Sequence, residues 1–197
     1  MSDTARNIVD GFRTLRAFCT EAAKMLKTAD GMMEDGDWTP TGNKAVSSTS
    51  RLIGEPDSWL PTEFFRYYEH EDHPNFLPFV SVLLHDPEPE NETVINEALI
   101  SAGYIEFEKG TEYSLKDWYW VCRSHLFMGD EDGNRKDDGT CYSVNPHEED
   151  FSEKDWIGVS KANTFAYPLD DITSGDVLKE KIVQPLLGLL PQEEEHP

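Results

Sequence analysis

Phe79-Val-Ser-Val-Leu-Leu84, the stop Asp86-Pro-Glu-Pro89, then Val94, Ile95, Ala98, Leu99 and Ala102 ahead of Tyr104-Ile-Glu-Phe-Glu108: this stretch decides the fold. The first run is apolar and rich in β-branched residues, so it reads as a strand. The last alternates apolar and charged side chains, as a strand with one wet face does, and Lys109-Gly110 turns it back. The segment between, 92–102, fits a helix capped by Asn91 and stopped by Gly103, with an all-strand reading as the alternative. Strand, helix and strand without a regular βαβ rhythm predict an α+β fold. We expect an antiparallel or mixed sheet of about four to six strands, carrying a long N-terminal and a C-terminal helix.

Working outward, residues 4–29 predict the N-terminal helix. Ile8, Phe12, Leu15, Cys19, Ala22 and Leu26 recur alternately four and three apart, which keeps one face apolar. Asp3 or Thr4 suits its cap and Gly31 its stop. Residues 30–58 are rich in Gly, Asp, Thr, Ser and Pro and read as a long loop, interrupted by a short helix near 45–52. Trp59-Leu-Pro-Thr-Glu-Phe-Phe-Arg-Tyr-Tyr68 reads as a short helix, with Pro61 in its first turn. Leu115, Trp118, Cys122 and Leu126 predict another helix, and 129–154 a polar, acidic insertion. Trp156 to Tyr167 reads as one or two strands. A last helix opens near Thr173, with Asp176 three residues on, and presents Leu178, Ile182, Leu186 and Leu189. Pro185 interrupts that pattern and should kink it, because it lacks a donor and crowds the carbonyl of Lys181. The organisation is one domain over 1–190 with an acidic tail, 191–197.

Charge excludes several functions. The 197 residues carry 17 Lys and Arg against 39 Asp and Glu, a net −22. Such a surface repels phosphate backbones and anionic membranes, so neither is an expected partner. The first 29 residues carry no apolar run of signal-peptide length, and no stretch is long enough to span a bilayer. Three cysteines, Cys19, Cys122 and Cys141, are odd in number and widely spaced, which argues against a disulfide framework and for the cytoplasm.

The charge is uneven. Residues 1–29 are net +2 and residues 30–197 net −24. On a helical projection Arg6, Arg13, Arg16, Lys24 and Lys27 fall within an arc of roughly 80°. That basic stripe borders the apolar face, and it either solvates the helix, turns toward the acidic body, or docks an acidic partner. Arg66 and Tyr67, if one side of their segment stays exposed, are interface anchors by residue type.

No complete catalytic motif is present. His70-Glu-Asp-His73, with His85, offers ligand types for a divalent metal, but the histidines stand three apart and Pro74 follows at once. Asp130, Asp132 and Asn134 have calcium-loop spacing, yet Arg135 stands where the turn glycine belongs and Cys141 where the closing glutamate does. Cys122 and His125 lie on one predicted helical face, but Cys122 falls on its apolar repeat, which suits an inert thiol. These observations predict a non-enzymatic interaction module, such as an adaptor, inhibitor or immunity-type partner of a basic protein surface, without a cofactor. One alternative is a metal-dependent enzyme, a hydrolase for example, using His70, Asp72, His73 and His85. Another is a halophile-adapted protein whose acidity is unrelated to its function.

Overall fold

The computed structural model describes residues 3–46, 60–61, 63–84, 98–112, 141–144 and 158–191. A long helix, α1 (Asp3–Glu34), leads into the two-residue edge strand β1 (Thr39–Pro40). Strands β2 (Glu63–Glu69), β3 (Phe76–Leu83) and β4 (Leu99–Phe107) follow, then β5 (Cys141–Val144) and β6 (Val159–Pro168). A 3₁₀ turn (Leu169–Asp171) leads to the C-terminal helix α2, residues 175–189. The strands form an antiparallel sheet in the order β1-β2-β3-β4-β6-β5, so the fold is α+β, with both helices on one face.

Strand parity sorts the side chains. Phe64 pairs with Val82 and Val82 with Ile100, so these residues share the helix-side face with Tyr68, Val80, Ala102, Tyr104 and Phe165. Ala22, Leu26, Ala29 and Met33 of α1 and Leu178, Ile182, Val183 and Leu186 of α2 cover that face. On the opposite face Tyr67, Leu77, Phe79, Leu83, Ile105 and Phe107 are also buried, around the polar side chains Glu63, Ser81, Ser101 and Thr164. Strands buried on both faces lose the in–out alternation that announces a strand in sequence.

That loss explains two differences from the sequence expectation. Residues 99–102 belong to β4 rather than to a helix stopped at Gly103; 92–97 lie outside the described residues. Gly103 runs through mid-strand, where a Cβ would meet the carbonyl oxygen of Asn163 on β6. Residues 63–68 are likewise strand rather than helix. Phe64 and Tyr68 are four apart, and an interval of four keeps residues on one side of either element. Neighbours two apart decide the matter: the rings of Phe65 and Tyr67 stand 5.2 Å apart on one face.

Gly31 does not end α1. The helix continues three residues, because Met33 is fully buried against the sheet. It closes where Trp38 donates to the Met33 carbonyl (3.1 Å) and Asp37 takes a left-handed conformation, φ 63°. In α2 the cap is Ser174, one residue past Thr173, and its hydroxyl accepts from the Val177 amide. Pro185 is accommodated by a π turn over Lys179–Val183, which widens the ladder where the proline would crowd it. Leu189, on the expected face, is exposed, and Leu190, which leaves the helix in an extended conformation, is buried. Of the expected loop, residues 39–46 run along β2: Phe65 donates to the Ala45 carbonyl and Val46 bridges Phe64. The expected acidic insertion contains edge strand β5. The predicted helices at 45–52 and 115–126 fall, beyond Ala45 and Val46, outside the described residues.

Candidate functional site

At 1.5 Å per residue, 32 residues make α1 about 48 Å long, more than the sheet needs to be covered. Its C-terminal half carries Ala22, Leu26, Ala29 and Met33 into the core. The same alternation of four and three runs back through Cys19, Leu15, Phe12 and Ile8, but there the face emerges from the body. Cys19 and Leu15 are half-buried, Phe12 is 61% exposed and Ile8 57% exposed. Val9, which the projection places within the basic arc, is exposed as well.

The basic stripe is exposed at all five positions, Arg6, Arg13, Arg16, Lys24 and Lys27. Arg13 pairs with Asp10 (2.9 Å) and Lys24 with Glu21 (2.7 Å), both one turn away on the same helix. Arg6, Arg16 and Lys27 make no ion pair among the described residues. Among the described residues the stripe is therefore not paired with acidic residues of the body.

Alongside the seam, α1 and the start of α2 enclose an open groove of about 300 Å³. Phe18, Ala22 and Met25 form one wall, and Leu169, Ile172 and Leu178 the other. Glu21 and Lys24 stand on its rim. Phe18 and Val9 escaped the sequence reading because neither lies on the strict seam; an apolar residue one position off a repeat is the only signal either gives. Phe18 also reaches the sheet, its ring 6.1 Å from that of Phe64.

Arg66 and Tyr67 are not surface anchors. Tyr67 is 3% exposed. Arg66 is 8% exposed, and its Nε donates to both carboxylate oxygens of Asp30, at 2.9 and 3.1 Å. A further guanidinium nitrogen donates to the Lys44 carbonyl at 3.1 Å. Arg66 thus ties α1, β2 and the 39–46 segment together. The hydroxyl of Tyr68 lies beside Asp30 without closing a hydrogen bond of ordinary geometry. Burial, and then the Asp30 charge, push the Tyr68 phenol well above its usual range.

His70 and His73 flank the turn between β2 and β3, with ring centroids 5.0 Å apart and packed on Trp38. The Asp72 amide donates to His70 Nδ1 (3.1 Å), so that nitrogen is occupied in holding the turn. Among the described residues no three His, Cys, Asp or Glu side chains are grouped to hold a metal. His85 and the 130–141 segment lie outside them, as do Cys122 and His125. No described helix is long and apolar enough to cross a membrane. Compared with family models, characterised proteins and solved structures, the chain shows no significant match.

Proposed function

We propose that the protein is a non-enzymatic interaction module that docks a partner protein through the N-terminal half of α1. The single observation that carries this reading is the exposure of Ile8 and Phe12 in unbroken register with the buried Ala22, Leu26, Ala29 and Met33. A solvated extension needs no apolar seam; one placed beside a basic arc suits a surface that is apolar at its centre and acidic at its edge. The −24 body adds a long-range field that orients the approach, with cationic surfaces drawn to the body and anionic ones to α1.

Reversing Arg13, Arg16 and Lys24 together to glutamate tests the assignment. The exposed stripe predicts an unchanged melting temperature and loss of the partner captured by the wild-type protein at low salt. Retained capture, or a fall in melting temperature, removes the reading. Capture by the wild type should also weaken as salt rises, while the fold persists at low salt. A halophile's acidic coat instead predicts unfolding at low salt.

A further inference from the structure

We draw no further inference here: the strongest candidate, the open apolar groove between α1 and the start of α2 walled by Phe18, Met25, Ile172 and Leu178, carries none, because Glu21 and Lys24 on its rim pair with each other and nothing in the structure shows what covers it.

Discussion

Replacing Arg66 by methionine should cost more stability than any surface substitution, and the structure sets the scale. The guanidinium and the Asp30 carboxylate are each less than one-fifth exposed, and they meet through two contacts, at 2.9 and 3.1 Å. Removing one member of a buried pair strands the other, at about 3–5 kcal/mol. The Lys44 carbonyl loses its donor as well. Against a typical domain margin of about 5–15 kcal/mol, this is a large fraction of the total. Asp30→Leu should be comparably damaging, since among the described residues it leaves a buried guanidinium with only the Lys44 carbonyl. The double variant Asp30→Leu/Arg66→Met should recover much of the loss, because two apolar groups of similar volume need no partner. Urea unfolding of the four proteins gives the coupling directly, which should exceed about 1.5 kcal/mol for charges in direct contact. A single-variant cost below about 1 kcal/mol, or costs that simply add, would refute the assignment of Arg66 as the tie between α1 and the sheet.

Three further outcomes follow from the same core. Tyr68 holds its proton in the folded state past the point near pH 10 where an unfolded tyrosine releases it, so stability should be level below about pH 10 and fall by about 1.4 kcal/mol per pH unit above it. Urea midpoints measured on the alkaline side should fall less steeply for Tyr68→Phe than for the wild type; equal slopes would contradict the burial of that hydroxyl beside Asp30. Gly103→Val should destabilise by about 2 kcal/mol or more, because its side chain meets Asn163 backbone that cannot swing aside; an unchanged melting temperature would count against the β4–β6 register. Ser174→Ala removes the acceptor for the Val177 amide and should cost about 1 kcal/mol, read by thermal unfolding.

The fold class was legible because the two decisive features are local. The apolar run at Phe79–Leu84 and the seam of α1 each declare their period within a dozen residues. What escaped was the face of the sheet away from the helices. Burial on both sides erased the alternation in Leu99–Ala102, and the four-residue interval of Phe64 and Tyr68 satisfied helix and strand equally. The site was legible in part for the same reason. The basic arc and the seam are properties of one helix, so a projection finds them. The burial of Arg66 is not, since it depends on Asp30, thirty-six residues away on another element. The groove is likewise closed by Leu169, Ile172 and Leu178, which no local pattern connects to Phe18.

The two halves of α1 are held by different forces, and the difference bears on function. Residues 22–33 are fixed by burial. Among the described residues, the side-chain hydrogen bonds of residues 4–17 are local: the Arg13–Asp10 pair, and Thr14 donating back to the Asp10 carbonyl at 3.0 Å. An exposed pair one turn apart contributes a few tenths of a kcal/mol, about 0.3–0.5, and back-bonding threonines do not favour a helix. Gly11 costs about 1 kcal/mol relative to alanine in such a position. The exposed half is thus an extension that propagates from an anchored base, with little margin of its own. A segment under no demand except solubility would carry polar residues at 8, 12 and 15 and lose nothing in the folded body. Isoleucine and phenylalanine there expose apolar surface to water, surface that the proposed docking contact would cover, and their register with the core would give that contact the form of a helix ridge.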